Sequence, residues 1–343
     1  MIFMNLLGML PDDLASHLRA NGVSVRDAEA RRVLAHVVTH AREGFPVSRP
    51  VPRAVEDAVG RLTTRERLEI VERVTDPSDG FVKYLFRLHD GALVEAVRIP
   101  LDVPGRFTVC LSSQAGCAMG CTFCATGRLG LARSLDAWEI VAQFVAVRDE
   151  APGEVTGAVF QGQGEPLHNY AGVMQAAAIL AHPCGGRIAA KAITISTVGL
   201  VPAIHRYARE KQPYRLIVSM TSAVDERRRA LLPSASAWSV QELAGAVRTY
   251  QQSTGGRVTI AWVVLGGINT GRDEVDALRG LFAGVPLRLN LIDVNDVHYQ
   301  RASDDELSRF RDDLRTLGIP IVRRYSGGAA ANAACGMLAA LQT

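Results

Sequence analysis

The sequence predicts an α/β fold: a partial parallel (β/α)6 barrel behind a small, mainly helical N-terminal accessory domain. Three observations predict it. From about Arg106 onward, short β-branched runs alternate with segments of helical period, six times over. Residues 1–90 lack that alternation. The 343 residues also suit a length prior of about two domains. We therefore expect residues 1–90 to form the accessory domain with its hairpin connection, and residues 91–343 to form the barrel and a C-terminal tail.

The elements follow in order. Residues 12–20 and 26–40 read as helices separated by an Asn21-Gly22 break. Residues 46–52 carry Pro46, Pro50 and Pro52 and read as a linker or turn, and residues 53–62 and 64–71 read as two short helices. The β-rich runs 83–87 and 93–99 flank Asp90-Gly91, a hairpin signal. Buried strands are expected at 107–111, 155–160, 192–196, 215–219, 258–265 and 287–292, with a last one at 319–324. Helices are expected at 135–149, 170–182, 200–210, 238–253, 272–283 and 303–317. In the first of them, Ile140, Val141, Phe144 and Val145 form an apolar stripe. Consecutive βα units imply a parallel sheet, and sites in such sheets lie at the C-terminal ends of the strands.

Composition narrows the class. Hydrophobic residues make up 48% of the chain, enough for a sizeable core. No apolar run reaches the roughly 20 residues of a membrane span. Residues 1–10 are apolar but lack a basic flank and a cleavage site. A soluble cytoplasmic protein without a membrane partner is expected. The net charge of +3 does not by itself announce nucleic-acid binding. Of six cysteines, three are clustered, while Cys110, Cys184 and Cys335 are scattered, a pattern that fits a reducing compartment.

The clustered cysteines carry the chemistry. Cys117, Cys121 and Cys124 stand at spacing C-x3-C-x2-C in a Gly-rich segment directly after the first barrel strand. A [4Fe–4S] cluster usually takes four thiolates. Three local ones leave an iron open to a small ligand. A zinc knuckle would recruit a fourth Cys or His at short spacing, and none follows soon after Cys124. With Phe123 before the third cysteine, the segment resembles the radical S-adenosylmethionine (SAM) superfamily. There the ligand's amino and carboxylate groups chelate the open iron, and electron transfer yields a 5′-deoxyadenosyl radical. Later strand ends add polar signals. Gly162-Gln163-Gly164-Glu165-Pro166 follows the second strand, where glycines admit a ligand to the backbone and Glu165 offers a carboxylate to an amino group. Ser196 and the run Ser219-Met220-Thr221 end the next two; their hydroxyls can hold a ribose or carboxylate, or cap the following helices.

Several stretches, in order, resemble the RlmN/Cfr family of radical SAM RNA methyltransferases. They include Leu93-Val-Glu95-Ala-Val-Arg-Ile-Pro100, Val109-Cys110-Leu-Ser-Ser-Gln-Ala-Gly-Cys117, Ile195-Ser-Thr-Val-Gly199 and Ala333-Ala-Cys335-Gly-Met-Leu-Ala339. The resemblance implies methylation of an adenine carbon, C2 or C8, in 23S ribosomal RNA and, for some members, transfer RNA. These carbons are electron-poor, so direct polar methyl transfer to them is chemically implausible. In the family, one SAM methylates a cysteine, matching Cys335, and a second gives the radical that abstracts hydrogen from its S-methyl group. The thiomethylene radical adds to the adenine, a base matching Glu95 takes the ring proton, and a cysteine matching Cys110 attacks the first sulfur, leaving a transient disulfide. The same resemblance assigns SAM contacts to Gly164, Glu165, Ser196, Ser219, Met220, Thr221 and Asn295. It implies an RNA partner, an electron donor such as flavodoxin or ferredoxin, and a monomer. Arg128, Arg133, Arg227, Arg228 and Arg229 are candidates for holding phosphates near the barrel mouth.

The chain departs from the family at Gln163, Met220-Thr221, Ala261 and Val294-Asn295-Asp296. These changes touch the pocket wall and mark a divergent branch. Two alternatives stay open: a radical SAM enzyme using the same methyl-cysteine device on a small molecule or peptide, and a non-catalytic RNA-binding relative.

Overall fold

The computed structural model describes residues 4–39, 51–324 and 326–338. Parallel strands β6 (Arg106–Leu111), β9 (Glu154–Phe160), β10 (Ile193–Thr197), β11 (Arg215–Ser219), β12 (Val258–Val264), β13 (Leu287–Asp293) and β14 (Ile321–Arg324) lie side by side in chain order. Helices α5 (Ala137–Asp149), α6 (Tyr170–Ala181), α7 (Val201–Arg209), α9 (Val240–Thr254), α10 (Arg272–Leu281) and α11 (Asp304–Arg315) connect them. This is the expected partial (β/α)6 barrel. Its strands are buried because helices cover them, so they read as near-continuous apolar runs rather than alternating ones. Two short helices, α4 (Ala125–Arg128) and α8 (Asp225–Leu231), sit in the loops above the strand ends.

The sheet does not stop at β6. Antiparallel strands β5 (Leu93–Pro100), β4 (Val82–Arg87) and β3 (Glu69–Thr75) extend it to ten strands. Residue 90 therefore falls in a turn inside one continuous sheet. The helix expected at 64–71 is a correction: Thr63–Thr64 forms β2, paired with β1 (Met4–Asn5), and residue 69 opens β3. The segment Glu-Ile-Val-Glu-Arg-Val-Thr is β-branched, and pairing with β4 decides its state where local periodicity does not. Helices α1 (Pro11–Ala20), α2 (Asp27–Leu34) and α3 (Arg53–Leu62) match expectation. They share one hydrophobic core with the barrel through residues such as Leu6, Leu14, Val33 and Val59. Most of the Pro46–Pro52 linker lies outside the described residues. Among the described residues no helix is long and apolar enough to cross a membrane.

Side chains pin the strand ends that matter. Gln143 of α5 acts as a surrogate strand neighbour: its Oε1 accepts from the Ser112 amide at 3.0 Å and its Nε2 donates to the Ser112 carbonyl at 3.2 Å. Asn169 Nδ2 donates to the carbonyls of Ser113 and Leu135, at 2.8 and 2.7 Å. The ribbon β7 (Gln114–Gly116) and β8 (Leu131–Ser134) then brackets the three-cysteine loop.

Candidate functional site

One cavity opens at the C-terminal ends of the barrel strands, where the topology led us to expect a site. Cys110 of β6, Gly162 and Gly164 after β9, Ser196 of β10, Ser219 of β11 and Asn295 after β13 all face it. So do Cys117, Cys121 and Cys124 from the loop, and Cys335 from the tail. Residues 225 positions apart in sequence, Cys110 and Cys335, thus meet on one wall.

The three loop thiols sit in an apolar enclosure with Met119, Leu231, Leu232, Leu265 and Val294. Burial pushes all three up, Cys117 to about 12; at Cys117 and Cys121 neighbouring thiols and Glu165 add to the rise. Three crowded thiolates in such a place need a metal's positive charge. Among the described residues no three His, Cys, Asp or Glu side chains converge as a single-ion site. Gly127 leaves the loop room to fold, because a Cβ there would lie 2.8 Å from the Cys121 carbonyl oxygen. The donor set therefore fits an iron–sulfur cluster.

The Gly-rich turn builds the next wall. Gly164 has φ +95°, and a Cβ there would lie 2.5 Å from Gln114 Cβ. The turn aims Glu165 inward. Its carboxylate accepts from the Leu167 amide at 2.9 Å and the Val198 amide at 2.9 Å, tying β9 to β10. Burial nevertheless raises its carboxyl to about 7. Thr221, with φ 60°, carries a buried hydroxyl without a hydrogen-bond partner that faces the cavity. An orphaned hydroxyl and an anion short of a cation suit a zwitterionic ligand such as SAM. Met220 does not join them: its side chain turns into the main core and its amide donates to the Ala261 carbonyl. Asn295 is occupied by the tail, donating to Ser326 Oγ at 2.8 Å and the Cys335 carbonyl at 3.2 Å.

Cys110 lies in a register row Lys83–Val97–Cys110–Val159 across β4, β5, β6 and β9. Burial and the nearby Cys335 thiol push the Cys110 thiol up to about 12, and the Arg324 guanidinium works against that rise. Both thiols are free, as are all six cysteines. Glu95 is no solvent-facing strand carboxylate. It is buried, pairs with Lys83 Nζ at 2.9 Å and accepts from Gln163 Nε2 at 3.4 Å. Sequence reasoning missed Lys83, although the Asp90-Gly91 hairpin sets it diagonally across from Glu95. It also missed Arg324, which donates to Gln161 Oε1 at 2.8 Å on the same wall. Cys184 is half-buried in its loop, away from the cavity.

The five candidate phosphate-binding arginines are engaged within the fold. Arg128 pairs with Asp296 at 2.6 Å, and Arg133 with Asp90 and Glu139 at 2.5 and 2.7 Å. Arg227 pairs with Asp273 at 2.9 Å and with Glu274. Arg228 is buried and donates to the Val198 carbonyl. Only Arg229, 3.9 Å from Asp225, is loosely held and exposed.

Residues 111–278 match the model of the radical SAM superfamily. A probable RNA methyltransferase of Anaeromyxobacter sp. (strain Fw109-5) is 50% identical over 97% of this chain and 98% of its own. The same strain carries a dual-specificity RNA methyltransferase RlmN, 37% identical over 84% of this chain and 79% of its own. The crystal structure of a radical SAM methyltransferase from Sphaerobacter thermophilus superposes with a TM-score of 0.88, at 36% identity, covering 98% of this chain and 99% of that one.

Proposed function

We propose, from the premise that this chain belongs to the RlmN-type radical SAM RNA methyltransferases, that it methylates an adenine carbon of RNA through an S-methylcysteine at Cys335. One observation supports this reading above the others: two cysteines from distant parts of the chain share a cavity wall with the three-cysteine loop. A binding protein has no use for that arrangement. When bound, the [4Fe–4S] cluster and SAM supply the methyl group and a hydrogen-abstracting radical. Cys117, Cys121 and Cys124 hold the cluster. Glu165, Thr221, Ser196, Ser219 and the open backbone at Gly164 hold SAM. Cys335 carries the methyl-derived carbon to the base. Glu95, paired with Lys83, accepts the ring proton. The adduct's surplus electron would return to the cluster; Cys110 then attacks the Cys335 sulfur and breaks its bond to the methylene, which takes up a proton to become the methyl group, and the cell's thiols reduce the transient disulfide that is left. Arg324 favours the Cys110 thiolate that this step needs.

The substrate is an adenosine in ribosomal RNA, with transfer RNA as a second target. The presence of two such proteins in one Anaeromyxobacter strain supports a divergent branch, as do Thr221 in the pocket and Gln163 beside Glu95. A cytoplasmic, monomeric enzyme served by a flavodoxin or ferredoxin completes the reading. The test is anaerobic incubation of purified protein with RNA, SAM and a reductant, followed by mass spectrometry of the nucleosides. C2- or C8-methyladenosine is expected. SAM consumption with unmodified RNA and a modified metabolite or peptide would replace RNA as the substrate.

A further inference from the structure

The tail that bears Cys335 is held from three sides. From the three-cysteine loop, the Ala125 amide donates to the Gly336 carbonyl at 2.8 Å, and Thr126 Oγ1 donates to the Leu338 carbonyl. From the end of β13, Asn295 donates to the Cys335 carbonyl. The third side is the β3–β4 turn, which belongs to the antiparallel extension and reaches the cavity through Phe81. There Asp76 Oδ2 accepts from the Ala330 amide at 2.8 Å and Asp79 Oδ2 from the Gly328 amide at 2.8 Å. Phe81, Val97 and Cys110 pack beneath against Ala331, Ala333 and Leu338. Gly328 sits so close that a Cβ would lie 3.1 Å from the Phe81 ring.

The two aspartates divide their oxygens alike. Oδ1 of Asp76 accepts from the Ser78 amide at 2.9 Å and Oδ1 of Asp79 from the Phe81 amide at 3.2 Å, so each Oδ1 closes its own turn. Each Oδ2 reaches the tail. Turn closure alone would need only the first set. We propose that Asp76 and Asp79 are positioning residues that latch the Cys335-bearing tail over the cavity, so that the antiparallel extension presents the methyl-carrying sulfur. The latch is made of charge-assisted bonds to backbone amides, which are stronger than neutral ones yet can open as a unit when the sulfur must move. This proposal rests on the role given to Cys335 above.

Asp→Asn separates the two sets of bonds. An asparagine retains one acceptor oxygen for its turn and offers the tail amide an NH2 group, which cannot accept. The experiment compares wild type with the Asp76→Asn/Asp79→Asn double variant, both cluster-loaded, without SAM or RNA. Iodoacetamide labelling is followed for each cysteine peptide by mass spectrometry. Labelling of Cys335 should accelerate at least about tenfold, while Cys184 is unchanged. With SAM, reductant and RNA, kcat should fall more than KM rises. If the double variant fails to fold, Asp79→Asn alone decides, because Asp76 carries more of its turn. Unchanged Cys335 labelling in a folded variant overturns the latch. RNA methylation that survives Cys335→Ala would instead remove the carrier role and leave the labelling result standing.

Discussion

Glu165→Gln separates what the site costs from what it does. In the free protein the Glu165 carboxyl is fully buried, and burial raises it from 4.5 to about 7. The folded value lies above the unfolded one, so its contribution to stability is intact below about 4.5 and is lost as pH rises through about 7. At about 1.4 kcal/mol per pH unit, the anion costs the folded protein about 3 kcal/mol at pH ~8. Glutamine has the same shape and cannot ionise. Its NH2 cannot accept from the Leu167 or Val198 amide, so the variant should be weaker than wild type near pH ~5 and regain about 3 kcal/mol relative to it by pH ~8. It should also lose SAM affinity, since no carboxylate then accepts from the ligand's amino group. Wild-type affinity should weaken about tenfold per pH unit below about 7, as protonation takes away the carboxylate that accepts from that amino group. Denaturant titrations at both pH values and calorimetric SAM binding measure the two halves. A stability difference that does not change with pH would refute the reasoning.

Cys121→Ala should abolish the brown absorbance and SAM cleavage together, while far-ultraviolet circular dichroism stays native; a full cluster in that variant would remove the assignment. Gly164→Ala should destabilise by about 2–5 kcal/mol, from the left-handed φ and from the Cβ forced onto Gln114. Thermal unfolding measures it, and an unchanged midpoint would contradict the packing drawn for the Gly-rich turn.

The barrel was legible because its strands read as short apolar β-branched runs and every barrel helix is long enough to show its period. The segment at 64–71 was misread because its apolar residues suit either state, and only β4, later in the chain, selects the strand from residue 69. Met220, named among the SAM contacts, turns its side chain into the main core, while Ser219 and Thr221 face the cavity. The Lys83–Glu95 pair was within reach of the hairpin register. The bonds from Asp76 and Asp79 to the tail were not, since they join side chains to backbone amides about 250 residues away and no local pattern records them. The candidate arginines were visible as charges, but their carboxylate partners lie on other elements, as Asp296 does for Arg128.

The central claim is that Cys335 carries the carbon and Cys110 releases the product. Cys335→Ala should keep its cluster and lose RNA methylation. Cys110→Ala tests the claim most directly, because without that thiol the reaction should stop with Cys335 bonded through a methylene bridge to adenine. Co-expressed with RNA, the variant should run as a protein–RNA adduct on a denaturing gel. Nuclease digestion and peptide mass spectrometry should then place an adenosine-bearing methylene on the Cys335 peptide. Wild-type-like turnover by Cys110→Ala, or lost methylation with no RNA on Cys335, would contradict the account.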